Sequence, residues 1–238
     1  MGAASGRPPG EPLGDRAGQA LDGLVRDRPI GFLAQGSLYL VTPARPAAGD
    51  LESFLPRVLE GGVDVVQLRE KRMDAAELAG YCSAVRRITT SFGAGFILND
   101  FVSLAAECGA DGVHLGQDDM PVTEARSLLG EDAVVGLSTH TPAEIDAAAS
   151  LPVDYIGVGP VFETPTKPGR PAVGTSLVSY AARNCPRPFY AVGGINLGNL
   201  GGVVEAGATR IAVVRALTDA HDPAAAARAL KNRLASLP

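Results

Sequence analysis

Three observations predict an α/β protein whose parallel strands close into a (β/α)8 TIM barrel. Eight short apolar runs recur along the chain, helix-length segments separate them, and polar residue types suited to phosphate cluster just after most runs. Short buried runs alternating with helix-length segments indicate parallel strands joined by helical crossovers. Side chains that follow such strands gather on one face of the sheet or barrel, where these folds bind ligands. About 200 residues from residue 37 onward hold the eight units, the lower end of the range for such a barrel. An open doubly wound sheet is the second choice, weakened because no GxGxxG follows the first run.

The runs go from Leu38 to Val41, from Val63 to Leu68 (interrupted by Asp64), from Gly95 to Leu98 and from Gly112 to Leu115. The other four go from Ala133 to Leu137, from Val153 to Val158, from Pro188 to Val192 and from Ile211 to Val214. Helix starts are marked between them. Asp74 with Glu77 and Thr141 with Glu144 have capping-box spacing, in which each side chain meets a backbone N–H at the helix start. Asp222 followed by Pro223 is an N-cap with proline at the first helical position, ahead of an alanine-rich terminal helix. Asn196 is expected to cap the helix containing Leu197, Leu200 and Val203. Pro56 disfavours a helix running from Asp50, so that helix is expected to begin nearer Ser53 or to kink.

The chain divides into residues 1–36, an expected disordered extension, and residues 37–238, the catalytic barrel. Met1 to Gly14 is rich in Gly, Pro and Ala with few large apolar anchors, and Ala17 to Asp27 has the composition of a short helix. A secretory signal needs an apolar core that is missing there, and the acids Glu11, Asp15, Asp22 and Asp27 argue against a transit peptide. The 238 residues are 46% hydrophobic, enough for one sizeable core. A net charge of −5 and a pI near 5.2 exclude a nucleic-acid partner, which requires a basic surface. No run approaches the ~18 apolar residues of a membrane span. Cys82, Cys108 and Cys185 are odd in number and widely spaced, reading as small buried residues in a reducing compartment. The expectation is a soluble cytoplasmic protein.

The polar residues at the run ends carry the functional reading, each with a structural alternative. Gln67 and Arg69 share one side of the second strand, with Lys71 just beyond. A strand-end Arg and Lys are commonly solvated charges, but an amide inside an apolar strand needs buried partners. Two cations beside an amide suit a polyanion attached to a hydrogen-bonding ring. Asn99-Asp100 is an ordinary turn signal, and Asp119 before Met120-Pro121 reads equally as a helix cap. Two carboxylates from adjacent strands also form a hard oxygen site suited to Mg²⁺, which keeps waters and shares phosphate oxygens. His114, His140 and His221 are too scattered for zinc, and His114 is expected to pack near its strand. The prolines of the loop Phe162 to Gly169 stiffen it, which also fixes Thr164, Thr166 and Lys167. Gly193-Gly194 is either a bare turn or a close approach of backbone to phosphate, as after the seventh strand of many barrels.

The motifs QLREK (67–71), ND (99–100), HLGQDDMP (114–121), GLSTHT (136–141), GPVFETPTKPG (159–169) and AVGGIN (191–196) occur in this order at strand ends. Together they resemble the thiamine-phosphate synthase family over residues 37–220. The resemblance implies a (β/α)8 barrel transferase that requires Mg²⁺. It joins 4-amino-2-methyl-5-hydroxymethylpyrimidine diphosphate to a thiazole phosphate, giving thiamine phosphate and pyrophosphate. Carried over by position, it implies that Arg69, Lys71, Asn99 and Lys167 hold the diphosphate and that Asp100 and Asp119 bind Mg²⁺. It further implies that Gln67 and Ser138 contact the pyrimidine, while Thr164, Thr166, Gly194 and the backbone at Val214-Arg215 hold the thiazole phosphate. Arg215 departs from the serine of many relatives, which keeps a backbone contact and exchanges a hydroxyl for a guanidinium.

The thiazole nitrogen attacks with its lone pair, so no nucleophile–base pair is needed, and none stands out in the sequence. The work left to the protein is stabilising the departing pyrophosphate, by Mg²⁺ and by Arg69, Lys71 and Lys167 as the catalytic cations. The pyrimidine amino group can push electrons toward the reacting carbon, consistent with a dissociative route through a pyrimidinyl cation. Two rivals are a thiazole tautomerase-like isomerase and a non-catalytic metabolite-binding relative. The first has no use for the full diphosphate set. Small-molecule substrates are the expected partners, and a homo-oligomer is compatible with this reading.

Overall fold

The computed structural model describes residues 31–45, 47–165 and 171–236. Strands β1 (Leu38–Thr42), β2 (Val65–Leu68), β3 (Gly95–Asn99) and β4 (Gly112–Leu115) are followed by β5 (Val134–Thr139), β6 (Tyr155–Val158), β7 (Phe189–Val192) and β8 (Ile211–Val213). They pair in sequence order, all parallel, and β8 returns to β1 with Leu38 opposite Ile211 and Leu40 opposite Val213, closing the barrel. Each strand lies on a predicted run, with ends displaced by at most two residues.

The runs are apolar along most of their length because both faces of each strand are covered. Leu38, Leu40, Val66, Leu68, Phe96 and Leu98 point outward beneath the helices. Tyr39, Val65, Ile97, Val134, Tyr155, Tyr190 and Ala212 fill the barrel interior. Gly136 leaves the space that Tyr155 occupies, since a β-carbon there would lie 2.2 Å from its ring.

The N-terminal rim is held by a repeated device. Asp64, Asp111 and Asp154 each stand just before an even-numbered strand and accept an N–H from the first or second residue of the strand before it. Asp64 accepts from Leu38 at 2.9 Å, Asp111 from Phe96 at 2.7 Å and Asp154 from Val135 at 2.7 Å. Each carboxylate also pairs with a cation, Lys231, Arg86 and Arg126 respectively. The acid that interrupts the second apolar run is therefore a clamp, and it supplies acceptors to strand-start N–H groups that the ladder leaves over.

Helix starts follow the predicted caps in part. Asp74 and Glu77 form the reciprocal capping box, and Asp222 accepts the N–H groups of Ala224 and Ala225 ahead of helix Pro223–Ala235. Thr141 accepts the Glu144 N–H, but the Glu144 carboxylate turns to the His140 N–H at 2.6 Å, so only half of that box forms. Helix Leu51–Glu60 begins before Ser53 and carries Pro56 inside it. The proline removes one intrahelical donor, a cost offset by burial of Leu51, Phe54, Leu55, Val58 and Leu59 along one face. Asn196 does not cap a helix. Its Oδ1 accepts the Gly198 N–H in a local turn, helix Leu200–Glu205 starts later, and Leu197 stays outside it, exposed.

The described residues reach into the segment before the first strand. Residues Gly31–Gln35 form a short helix whose Leu33 is buried against the barrel interior, while the Phe32 ring fills the space beside Gly95. This helix covers the N-terminal end of the barrel. Residues 1–30, including the stretch Ala17 to Asp27, lie outside the described residues. No described helix is long and apolar enough to cross a membrane.

Candidate active site

Two adjoining cavities lie at the C-terminal ends of the strands. The larger, about 350 Å³, is lined by Gln67, Arg69, Asn99, Ser138, Thr164, Gly194, Val214 and Arg215 among others. The smaller, about 220 Å³, is lined by Lys71, Asp100, Asp118 and Asp119, and it shares Arg69, Asn99 and Ser138 with the larger. Every predicted site residue among those described therefore falls on one or the other cavity. Thr166 and Lys167 lie outside the described residues.

The floor of the larger cavity is a hydrogen-bonded chain that crosses the barrel. Gln67 Nε2 donates to the Tyr39 hydroxyl at 2.9 Å, and that hydroxyl is hydrogen-bonded to the Tyr155 hydroxyl at 2.9 Å. Tyr155 continues to His114 Nδ1 and His114 Nε2 to Ser138 Oγ, both at 2.9 Å. Burial pushes the Tyr39, Tyr155 and Tyr190 hydroxyls above their ordinary range, so all three stay neutral. The chain fixes Gln67 and Ser138 on opposite walls and supplies the partners that the buried amide requires. His114 thus projects into the interior, and with Tyr39 and Tyr155 it is a site residue that sequence reasoning missed. The available signal was period two: Tyr39 and Val41 alternate with the outward Leu38 and Leu40, as Gln67 does on its own strand.

The smaller cavity concentrates charge. Asp100 has φ of 66°, the left-handed region that non-glycine residues rarely adopt, and its N–H is tied to the His114 carbonyl at 3.0 Å. Lys71 Nζ pairs with its carboxylate. Burial and a shared hydrogen bond with Asp119 raise the Asp100 carboxyl, against the pull of Lys71. Burial acts the same way on Asp119, but there the hydrogen bond from Asp100, the Gly116 N–H and the Lys71 charge outweigh it, and that carboxyl is lowered. The two acids therefore shift each other's titration in opposite directions on the wall of one cavity. Asp119 does not cap the following helix, whose N-cap is Pro121; it accepts the Gly116 N–H at 2.6 Å and so faces the cavity. Asn99 is buried between the cavities, and its Nδ2 has no hydrogen-bond partner among the described residues.

The far wall is built from backbone. The loop after β6 is laced to β7 by Val161 N–H donating to Val192 at 2.8 Å and Phe162 N–H to Gly193 at 3.0 Å. Gly193 and Gly194 have positive φ, and a β-carbon on either would come within 2.7 Å of Pro160 or Phe162. The glycines thus serve a tight turn and a close loop contact at once. Across from them the short helix Arg215–Thr218 begins, with Val214 before it and Arg215 exposed at the mouth. Its leading N–H groups have no intrahelical acceptors.

Fold and site define a class: a (β/α)8-barrel enzyme whose catalytic end sets cations, a carboxylate pair and turned backbone around two joined cavities. Comparison with known proteins narrows it. Residues 38–217 match the family described as thiamine monophosphate synthase. The chain is 50% identical over 206 residues to the thiamine-phosphate synthase of Acidothermus cellulolyticus, covering 86% of this chain and 97% of that one. It is 51% identical over 203 residues to that of Thermus thermophilus, covering 84% and 97%. Among solved structures, thiamine phosphate pyrophosphorylase from Pyrococcus furiosus superposes with a TM-score of 0.75 at 29% identity, covering 84% of this chain and 95% of that one. The chain belongs to the thiamine monophosphate synthase family.

Proposed function

We propose that this barrel acts as a thiamine-phosphate synthase, with the residue roles given below and a dissociative chemical step. It joins 4-amino-2-methyl-5-hydroxymethylpyrimidine diphosphate to 4-methyl-5-(2-phosphoethyl)thiazole, releasing pyrophosphate. The supporting observation is the seam between the cavities: Arg69, Asn99 and Ser138 line both, and the buried Asn99 Nδ2 has an unmet hydrogen bond. A ring in the larger cavity with its diphosphate in the smaller one would cross that seam.

Gln67 and Ser138 orient the pyrimidine from opposite walls, held by the Tyr39–Tyr155–His114 chain between them. Arg69, Lys71 and Asn99 grip the diphosphate, and Lys167 adds a third cation from the loop after β6. Thr164, Thr166, Gly194 and the backbone at Val214-Arg215 hold the thiazole phosphate, with the Arg215 guanidinium at the mouth. The residues present fit a hard divalent ion. Asp100 and Asp119 line one small cavity together, beside Arg69 and Lys71. Two carboxylates suit Mg²⁺, which fills its shell with waters and phosphate oxygens. Bound there, Mg²⁺ would neutralise charge on the leaving pyrophosphate. Arg69, Lys71 and Lys167 stabilise the same charge, and the cavity holds the thiazole nitrogen against the reacting carbon. A tautomerase would have no use for Lys71, Asp100 and Asp119 gathered beside Arg69.

The test is a single-turnover comparison of the natural pyrimidine with its 2-trifluoromethyl analogue under saturating conditions, which separates chemistry from binding. An electron-withdrawing group destabilises a pyrimidinyl cation, and each ~1.4 kcal/mol added to the barrier costs a factor of ten. The expected loss is several orders of magnitude. Near-equal rates would reject the dissociative step, and no thiamine phosphate from the natural pyrimidine would reject the reading itself.

A further inference from the structure

The chain that crosses the barrel floor ties its two ends together. Gln67 on β2, Tyr39 on β1, Tyr155 on β6, His114 on β4 and Ser138 on β5 are joined in that order. Tyr39 and Tyr155 are each 1% exposed, so their hydroxyl hydrogens depend on the chain for acceptors. Each hydroxyl has a single hydrogen to give, and a neutral imidazole donates from one nitrogen and accepts at the other. Every link therefore points the same way. With Gln67 Nε2 donating to Tyr39, Tyr39 donates to Tyr155, Tyr155 to His114 Nδ1, and His114 Nε2 to Ser138 Oγ. This order leaves Gln67 Oε1 as an acceptor and the Ser138 hydroxyl hydrogen as a donor for the larger cavity, which both residues line. Turning the Gln67 amide over reverses every link, and Gln67 then offers a donor and Ser138 an acceptor. A mixed order strands a buried hydroxyl hydrogen or a ring nitrogen, the costly outcome for a buried polar group. Packing keeps the oxygens in place: Tyr190 lies edge-on to Tyr39 and Tyr155, with ring centroids 5.0 and 5.6 Å apart.

We propose that Tyr39, Tyr155 and His114 are specificity-determining positioning residues, which tie the polarity of Gln67 to that of Ser138 so that the cavity takes a ring bringing one donor and one acceptor. The inference rests on the assignment of the pyrimidine to the larger cavity and adds how that ring is chosen. A 4-aminopyrimidine meets the demand in either order of the chain. Its amino N–H goes to whichever end accepts, and a ring-nitrogen lone pair to whichever end donates. A 4-methoxypyrimidine has acceptors alone and no tautomer that supplies a donor. Both ends would have to donate to it, and an intact chain cannot make them do so without stranding one of its own groups. None of the three positioning residues has to touch the ring for this selection, since they act through Gln67 and Ser138.

The measurement is the Kd of the natural pyrimidine diphosphate and of its 4-methoxy analogue, by titration calorimetry on the full-length protein with Mg²⁺ and no thiazole phosphate. A pH of about 8.5, above the ordinary imidazole range, keeps the chain neutral. The unaltered protein should bind the methoxy compound about 100-fold or more weakly, because a site built to pair a hydrogen-bonding group rejects a ring that lacks it. In Tyr155→Phe the two ends turn independently, so the natural compound weakens and the gap between the two narrows to about tenfold or less. Any steric effect of the methyl group is common to both proteins and cancels in that comparison. Tyr39→Phe frees Gln67 in the same way and gives the same reading where Tyr155→Phe fails to fold. Tyr190→Phe removes a hydroxyl from the same packed layer, one that donates to the Gly36 carbonyl outside the chain, and should leave the gap unchanged. A gap below about tenfold in the unaltered protein would overturn the proposal. So would a gap that survives whole in the Tyr155 or Tyr39 variant while both compounds weaken alike, since that is the mark of packing alone. Failure of the unaltered protein to bind either diphosphate would instead remove the assignment of the pyrimidine to this cavity, and this inference with it.

Discussion

Replacing Asn99 with leucine should make the ligand-free protein more stable while removing its response to the pyrimidine diphosphate. The residue is 5% exposed, and its Nδ2 has no partner among the described residues. An unmet buried donor costs about 1–3 kcal/mol, and leucine has a similar volume with no polar atom to satisfy. For a domain of this size each kcal/mol moves Tm by roughly 2–4 °C, so the ligand-free Tm should rise by about 2–12 °C. Ligand acts in the opposite direction. The natural protein at a hundredfold excess of diphosphate over Kd gains about 2.7 kcal/mol by mass action, and the variant gains nothing. Calorimetric Tm values of both proteins, with and without the pyrimidine diphosphate and Mg²⁺, supply the four numbers needed. A lower ligand-free Tm for the leucine variant, or equal ligand-induced shifts in the two proteins, would refute the idea that this amide is held unsatisfied for an anion.

Three further perturbations separate the parts of the site. Tyr155→Phe removes the hydrogen bonds to Tyr39 and His114, so a loss of about 2 kcal/mol is expected. That lowers Tm by roughly 4–8 °C, and KM for the pyrimidine diphosphate should rise more than KM for the thiazole phosphate; equal rises would break the link from this chain to the ring. Asp100→Ala or Asp119→Ala should each cut kcat/KM by about 100-fold or more, with excess Mg²⁺ restoring only part. Full activity in a chelator-treated sample would contradict that assignment. Lys167→Ala should weaken the pyrimidine diphosphate and spare the thiazole phosphate, measured by titration calorimetry, and equal losses would mean the loop acts as a general cover.

The barrel was legible because its strands are buried on both faces, which writes eight short, mostly apolar runs into the chain, and because ligand-facing groups must follow those runs. Arg69, Asn99, Asp100, Asp119 and Ser138 stood out for that reason. The tyrosines did not. A tyrosine in a strand reads as apolar filling, and the partners that make Tyr39 and Tyr155 a polar chain lie 116 positions apart. Local signals failed where two motifs share one spelling. Asn196 opens an Asx-type turn with the same residue type that caps helices, and Asp119 closes a turn from the position a cap would occupy. Thr141 and Glu144 have capping-box spacing, yet His140 one residue earlier offers Glu144 a nearer donor. The rim clamps were equally hidden, since Asp64, Asp111 and Asp154 gain meaning only once neighbouring strands are side by side.

The account stands or falls on one reaction. Purified protein with both substrates and Mg²⁺ should release thiamine phosphate and pyrophosphate in equal amounts and at the same rate, and neither product should form when either substrate is left out. Pyrophosphate released as fast without the thiazole phosphate would make the protein a hydrolase. Binding of both substrates with no coupled product, or isomerisation of the thiazole alone, would likewise contradict the transferase assigned to these cavities.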